Sequence, residues 1–222
     1  MARKVADTGG VVVLGLGRFG KSLALELERD GVEVLGIDVD GKRVQDLAGR
    51  LTHVVEADTT DLEAMRQLSV GEFRQAVIGI GSDVEASILT AFVLRTLGVR
   101  TIWGKAVTES QGKILEQVGV HHVVRPEFDM GRRVAHLVRG RLLDYIEFDD
   151  GYAMVKTTPP ESIVGRTLAE AGVRSRYGVT VVGIKPRGEA FTYAVPETVP
   201  QAGDVIIVSG DRTKVERFSN EA

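Results

Sequence analysis

Residues 11–20 read VVVLGLGRFG, an apolar run that leads into three glycines spaced as G-x-G-x-x-G. In this pattern Gly15 permits a tight turn, Gly17 lets the backbone approach a phosphate, and Gly20 lets the next helix pack closely on the strand. The helix that opens here directs its N-terminus at the same anion. The stretch therefore predicts a strand, a phosphate-binding turn and a helix, which together begin a nucleotide-binding sheet.

The same alternation continues through residue 124. Segments with helical spacing of apolar residues separate five further strand-like runs, which read VEVLGID, HVVEA, QAVIGIG, TIWGKA and HHVV. Strands that alternate with helices predict a doubly wound parallel α/β sheet of the Rossmann-like kind. Ligands of such sheets bind outside the carboxyl ends of the strands, so the residues at those ends are the candidates for a site.

Polar or small residues end the second, third and fourth strands. Asp38 lies roughly 20 residues beyond the glycine turn, where a carboxylate accepts hydrogen bonds from a ribose diol and repels a 2′-phosphate. This favours NAD or an adenosine nucleotide over NADP. Asp58 and Thr59 either lie near an adenine edge or cap a helix. Gly79 and Gly81 allow close approach of the backbone to a ligand.

Arg18 stands inside the glycine turn, where it suits a polyphosphate. A guanidinium can neutralise the phosphate tail of ATP or ADP with bidentate hydrogen bonds, although a solvated surface arginine is the alternative. The second half of the chain lacks the His/Asp or Tyr-x-x-x-Lys pattern that hydride transfer requires. We therefore expect a protein that binds ATP or ADP and is not an enzyme. An NAD(H) sensor or oxidoreductase, and a structural protein with a vestigial site, are the alternatives.

Composition excludes several other classes of protein. The chain has 222 residues, a formal net charge of −3 and no cysteine. It lacks the basic balance of a nucleic-acid-binding protein, and it cannot form disulfides or cysteine-ligated zinc sites. His121 and His122 would point to opposite faces of a strand, which favours ordinary strand residues over a metal pair.

The sequence also predicts where the protein is found. No apolar run approaches the length of a membrane span. The first ten residues, MARKVADTGG, are too short and polar for a signal peptide. We expect a cytoplasmic protein that is not inserted in a membrane and that reaches one only by docking onto another protein.

The composition shifts near residue 144 to short strand-like runs with turn signals between them. These runs read YIEF, YAMVKT, VTVVGIK, AFTYAV and DVIIVSG, and the helical segments VGRTLAEAG and RTKVERFSN flank them. We predict three parts: a Rossmann-like domain over residues 8–127, a helix and linker over 128–143, and a small α+β domain over 144–222.

Several motifs together carry a family resemblance over essentially the whole chain. They are GLGRFG, EADTTD, ASILTAFVLR, IWGKA, LEQVGVHHVVRPEFDMGRRVA and RYGVTVVGIK. With the strand-end Asp38, they resemble the cytosolic regulatory subunits of Ktr/Trk-type potassium uptake systems. These are RCK proteins, regulators of potassium conductance, in which an RCK N domain precedes an RCK C (TrkA-C) domain.

The resemblance implies a function and an assembly. It implies that the first domain binds ATP or ADP, that the helix after residue 128 crosses to a partner subunit, and that homodimers assemble into a ring of eight. The ring would lie beneath a membrane potassium transporter, with ATP favouring the conducting arrangement and ADP the resting one.

The resemblance also assigns roles to residues. It implies that Arg18 contacts phosphate, Asp38 the ribose and Lys105 the same site, and that Glu127 takes part in binding a cation such as Mg²⁺ at the ATP phosphates. From the residues alone, Glu127 near a helix start is also explained by the helix dipole. The predicted nucleotide contacts are Gly15, Gly17, Arg18, Phe19, Gly20, Asp38, Asp58, Thr59, Gly79, Lys105 and Glu127, with Glu127 as the metal ligand.

The second domain carries a further expectation from the resemblance, which is cyclic di-AMP at a dimer interface. Arg174 and Arg176 would meet its phosphates. Tyr177 or Ile184 would border a base, and Pro196 lies in the corresponding stretch. A module that serves only oligomerisation is the alternative.

Overall fold

The computed structural model describes residues 9–139 and 142–221. The chain folds as two compact units that divide between Phe128 and Asp129. Residue 8, the first of the predicted Rossmann-like domain, and residues 140 and 141 of the predicted linker lie outside the described residues, as does residue 222.

The first unit contains a parallel six-stranded sheet. Its strands are β1 (Val11–Leu14), β2 (Val34–Asp38), β3 (His53–Glu56), β4 (Gln75–Ile78), β5 (Thr101–Lys105) and β6 (His122–Val124). They lie in the order β3-β2-β1-β4-β5-β6, and every pairing is parallel. This confirms the predicted doubly wound sheet. The strand order reverses between β1 and β4, which is where such sheets form a crevice.

Helices follow the strands of this sheet. They are α1 (Arg18–Arg29), α2 (Gly41–Leu47), α3 (Leu62–Gln67), α4 (Val84–Thr96), α5 (Glu109–Val118) and α6 (Pro126–Arg139). Alternate residues of β1 enter two separate cores: Val12 and Leu14 belong to one, and Val11 and Val13 to the other. Because both faces of β1 are covered, the strand is apolar at every position, as is typical of parallel sheets.

The start of α3 contradicts the prediction that Asp58 or Thr59 caps a helix, which was one of the two alternatives for these residues. The helix is capped by Asp61, whose Oδ1 accepts hydrogen bonds from the amides of Glu63 at 2.8 Å and Ala64 at 3.2 Å. Asp58 instead accepts a hydrogen bond from the amide of Thr60 at 2.9 Å. Asp58 therefore orders the loop after β3, and the helix begins later than the cap prediction requires.

The glycine turn is held by contact between backbones. Gly15 has a φ of +93°, and a Cβ there would lie 2.9 Å from the amide nitrogen of Ile80. A Cβ on Gly20 would lie 1.9 Å from the carbonyl oxygen of Gly15, and one on Gly79 would lie 2.5 Å from the same oxygen. A Cβ on Gly17 would meet nothing within 4 Å. Packing against the turn therefore requires glycine at position 79, independently of the ligand approach that the sequence suggested.

The second unit is a small α+β domain, as predicted. Its strands are β7 (Asp144–Glu147), β8 (Tyr152–Thr157), β9 (Val179–Lys185), β10 (Thr192–Tyr193) and β11 (Val205–Asp211), in the antiparallel order β10-β9-β11-β8-β7. Its helices are α7 (Leu168–Ala171), α8 (Val173–Tyr177) and α9 (Arg212–Asn220). The sequence did not predict α8, a single turn between two glycines with positive φ, Gly172 and Gly178.

We expect Gly79→Ala to destabilise the first unit, because its Cβ would overlap the carbonyl oxygen of Gly15. The free energy of unfolding should fall by about 1–3 kcal/mol, the range for overpacking a tight contact. Gly17→Ala is the matched control and should change it little, since its Cβ enters open space. Urea unfolding followed by the fluorescence of Trp103, the chain's one tryptophan, measures both. Equal stability of the two variants would contradict the packing argument.

Candidate functional site

A cavity of about 1350 Å³ opens at the carboxyl ends of the strands in the first unit. The glycine turn forms one wall, and residues after β2, β3, β4 and β5 form the others. Of the predicted nucleotide contacts, all but Gly20 line the cavity: Gly15, Gly17, Arg18, Phe19, Asp38, Asp58, Thr59, Gly79, Lys105 and Glu127. Gly20 lies against the carbonyl of Gly15, inside the turn.

One end of the cavity suits an anion. The helix α1 begins at Arg18, and its first turn contains no acidic residue. The free amides and positive dipole end of a helix N-terminus favour a negative group at this point. Arg18 is exposed, and among the described residues nothing forms a hydrogen bond or ion pair with its guanidinium. The anion end therefore has an available cation beside it.

Lys105 and Glu127 form an ion pair on the wall of this cavity. Lys105 Nζ lies 2.6 Å from Glu127 Oε1, and the side chains are 11% and 59% exposed. The hydrogen bond from Lys105 lowers the pKa of Glu127 below its ordinary value, and the charge of Arg18 lowers it further. The Lys105 ammonium also lies 5.9 Å from the centre of the Phe19 ring. Lys105 is thus a nearly buried cation with one exposed carboxylate as its partner.

Asp38 ends β2 and lies on the cavity wall beside the glycine turn, since its carboxylate accepts a hydrogen bond from Leu16 of that turn. Its carboxylate is only 3% exposed and accepts hydrogen bonds from the amides of Leu16 at 2.5 Å and Asp40 at 2.9 Å. Arg43 Nη1 lies 3.2 Å from its Oδ2. The sequence did not single out Arg43, although an arginine in the first turn after a strand-end acid is visible in GIDVDGKR.

The loop after β3 contributes two residues with different environments. Asp58 is exposed on the cavity wall. Thr59 is buried, and its hydroxyl lies 2.7 Å from that of Thr90 in α4. Thr59 therefore fixes the position of this loop against α4, while Asp58 presents a polar group to the cavity.

The residues predicted to contact cyclic di-AMP do not share one environment. Tyr177 and Ile184 are 8% and 4% exposed and belong to the core of the second unit. The Tyr177 hydroxyl lies 3.0 Å from that of Ser162. Both side chains are thus largely enclosed within this chain, whereas Arg174 and Arg176 are exposed. Arg174, Arg176 and Pro196 lie on the surface.

The adjacent histidines have separate structural contacts. His121 Nδ1 accepts a hydrogen bond from the amide of Ile102 at 3.0 Å. The His122 ring stacks on Trp103 with the ring centres 4.1 Å apart. Within residues 9–139 and 142–221, no group of three or more His, Cys, Asp or Glu residues is placed to hold a metal ion. In the same part of the chain, every helix is too short or too polar to cross a membrane.

Sheet order, glycine turn and cavity define a protein with a Rossmann-like first domain and a small antiparallel second domain. Residues 11–126 match the TrkA-N domain family, and residues 152–222 match the TrkA-C domain family. The chain belongs to this family, which includes Ktr system potassium uptake proteins, and the resemblance stated from the sequence is confirmed.

Two relatives from Bacillus subtilis (strain 168) align over nearly the full length of both chains. Ktr system potassium uptake protein C is 36% identical over 93% of this chain and 94% of its own. Ktr system potassium uptake protein A is 33% identical over 94% of this chain and 95% of its own. The similarity therefore covers both domains.

Solved structures share the fold at low sequence identity. The GsuK RCK domain and the GsuK channel bound to NAD both have a TM-score of 0.67, at 20% and 19% identity. Each covers 96% of this chain, which spans 48% and 40% of those chains. GsuK bound to ADP has a TM-score of 0.51 at 19% identity, covering 57% of this chain and 34% of its own. These likenesses confirm the predicted RCK-type fold.

Proposed function

We propose that this chain is the nucleotide-binding regulatory subunit of a Ktr-type potassium uptake system. It would act on a membrane-embedded transporter subunit from the cytoplasmic side, and not as an enzyme. The observation that carries the proposal is the cavity, whose wall contains an available Arg18 at a helix N-terminus and the strand-end Asp38. Membership of the potassium uptake family supplies the biological setting.

The proposed ligands are ATP and ADP. GsuK structures carry NAD or ADP, so this fold accommodates both kinds of nucleotide. In this chain Arg18 and Lys105 place two cations on the cavity wall, which favours a ligand whose charge is concentrated at a terminal polyphosphate. The diphosphate of NAD lies between two nucleosides, so NAD would make weaker interactions with these cations than a terminal polyphosphate. An NAD(H) sensor on the same fold is the competing proposal.

We expect ATP and ADP to bind more tightly than NADH, and Arg18→Ala to weaken ATP more than ADP. The loss for ATP should be about 10- to 150-fold, the value of a hydrogen bond to a charged group. Arg29→Ala is the matched control, because it removes the same charge from α1 outside the cavity lining. Isothermal titration calorimetry measures all three ligands. Tighter binding of NADH to the unaltered protein would favour the competing proposal.

A divalent cation such as Mg²⁺ fits the site only together with a nucleotide. Glu127 offers one exposed carboxylate on the cavity wall. Mg²⁺ is commonly held by one or two carboxylates together with phosphate oxygens and water. Glu127 is the residue that would hold the ion, and the ion would neutralise the terminal phosphates. Because Lys105 already binds Glu127 Oε1, this arrangement requires Lys105 to share or exchange its partner.

We expect Mg²⁺ to strengthen ATP binding more than ADP binding, and Glu127→Gln to remove most of that difference. The amide keeps the shape of the side chain but lacks the charge that attracts the ion. Glu109→Gln serves as a control, because Glu109 is an exposed acid that pairs with Lys113 on α5. Titrations with and without Mg²⁺ decide the matter. An unchanged Mg²⁺ effect in Glu127→Gln would leave Glu127 as a helix-terminal acid only.

The proposed assembly is a homodimer, with a ring of eight as the larger form that the resemblance implies. The supporting observation is apolar exposure. On α6, the exposed apolar side chains are Phe128, Met130, Val134 and Val138, and on the sheet Trp103 is 36% exposed. A partner subunit would remove these surfaces from water. Cyclic di-AMP binding by the second domain is a further part of the proposal, now supported only by the surface positions of Arg174, Arg176 and Pro196.

We expect light scattering to show an oligomer at micromolar concentration, and Val134→Glu to shift it toward the monomer. A buried carboxylate at an apolar interface lacks solvation and a partner. Val199→Glu is the control, since it places the same charge on another exposed valine in the second unit. A monomer across the micromolar range for the unaltered chain would contradict the proposed assembly.

We expect potassium uptake in cells that contain the transporter subunit to depend on this chain and on Arg18. Cells with Arg18→Ala should lose most of the difference in uptake between high and low ATP:ADP ratios, because the variant distinguishes the nucleotides poorly. Arg29→Ala should retain the difference. Rubidium uptake at controlled nucleotide ratios is the measurement. If uptake in Arg18→Ala cells still depended fully on the ATP:ADP ratio, nucleotide binding at Arg18 would not regulate transport, and the proposal would be contradicted.

A further inference from the structure

Arg43 lies across the end of the cavity that Asp38 forms. Its Nη1 is 3.2 Å from Asp38 Oδ2 and 3.5 Å from Asp38 Oδ1, and its Nε is 3.4 Å from Asp40 Oδ2. The Arg43 side chain is 49% exposed, whereas that of Asp38 is 3% exposed. The guanidinium therefore forms part of the cover over an otherwise enclosed carboxylate.

The hydrogen bonds of Asp38 leave few acceptor positions. A carboxylate offers about four lone-pair sites. The amide of Leu16 uses one on Oδ2, and the amide of Asp40 uses one on Oδ1. Arg43 faces both oxygens at the edge that remains. A ribose diol donates two hydrogen bonds and needs that same edge, so Arg43 and a ribose compete for it.

We propose that Arg43 is a displaceable gate on Asp38 and determines how strongly the site selects for a ribose diol. The inference rests on the proposed function, because it presumes that an adenosine nucleotide enters this cavity. On binding, the ribose hydroxyls replace the guanidinium at Asp38, and Arg43 remains paired with Asp40. Arg43 is thus a positioning and specificity-determining residue. Because the ribose must displace it, the preference of the site for a ribose diol is weaker than it would be with Asp38 alone.

The same geometry disfavours a 2′-phosphate beside Arg43. An arginine near the end of the second strand accommodates the 2′-phosphate of NADP in other sheets of this type. Here one guanidinium is shared by two carboxylates, Asp38 and Asp40. The group of three therefore carries a net negative charge, which disfavours a phosphate at this position.

The test compares ADP with 2′,3′-dideoxy-ADP, which lacks both hydroxyls. The measured quantity is the ratio of their dissociation constants in the unaltered chain, in Arg43→Gln and in Lys42→Gln. Lys42 is an exposed cation beside Arg43 on α2 and does not line the cavity. The two ligands carry the same diphosphate, so the general effect of removing a positive charge is equal for both and cancels in the ratio.

We expect Arg43→Gln to raise the preference for ADP over the dideoxy ligand by roughly two- to fivefold, because a half-exposed ion pair no longer has to be broken. Lys42→Gln should leave the ratio unchanged. The ratio for Arg43→Lys should lie between those of the unaltered chain and Arg43→Gln, since an ammonium pairs with one carboxylate at a time. Should Arg43→Gln fail to fold, Arg43→Lys carries the test alone.

Three results would overturn the inference. An unchanged ratio in Arg43→Gln would mean that Arg43 does not compete with the ribose. A lower ratio would mean that Arg43 itself contacts the hydroxyls or holds Asp38 in place. If neither ligand binds the unaltered chain, the proposed function and this inference both fail. Binding of ADP with an unaffected ratio removes the inference and leaves the proposed function standing.

Discussion

The contact among Gly15, Gly20 and Gly79 is the constraint on which the rest of the first domain depends. It joins the end of β1, the first turn of α1 and the end of β4 by backbone atoms, at the point where the strand order reverses. Side chains at these positions would separate the two central strands from the helix. Because the contact leaves only Gly17 facing open space, the turn and the mouth of the cavity are products of the same packing.

Two groups of charged residues on the wall of the cavity that this packing creates bear on the proposed ligand. Arg18 and Lys105 lie on the wall near the start of α1, and Lys105 is almost enclosed. Asp38 and Asp40 lie after β2 with one arginine between them. A ligand with a polyphosphate at one end and a ribose at the other fits both groups. The cations would bind the phosphates, and the acids would accept hydrogen bonds from the ribose hydroxyls.

The sequence predicted the features of the first domain that follow from local pattern. Alternating strands and helices gave the sheet, and the strand ends gave the cavity wall. Local pattern does not show features that depend on packing between distant segments. The sequence suggests Tyr177 and Ile184 as ligand contacts because they lie near two arginines. In the fold, α8 and β9 place both side chains in the core of the second unit with Phe218. Arg43 was missed because the pattern GIDVDGKR shows an arginine near the strand-end acid but does not show that the two side chains meet.

Lys105 offers a physical route from ligand to fold under the proposed function. Its ammonium is nearly buried, so it needs a negative partner, and Glu127 in the first turn of α6 is that partner here. A terminal phosphate within reach would compete for the same ammonium, and a ligand without that phosphate would compete less. The two ligands would then differ in how firmly Lys105 holds the start of α6.

A ligand shifts a conformational equilibrium only when it contacts the two conformations differently, however tightly it binds. Under the proposed function such a difference would act on α6, which begins in the first unit and continues past Asp129.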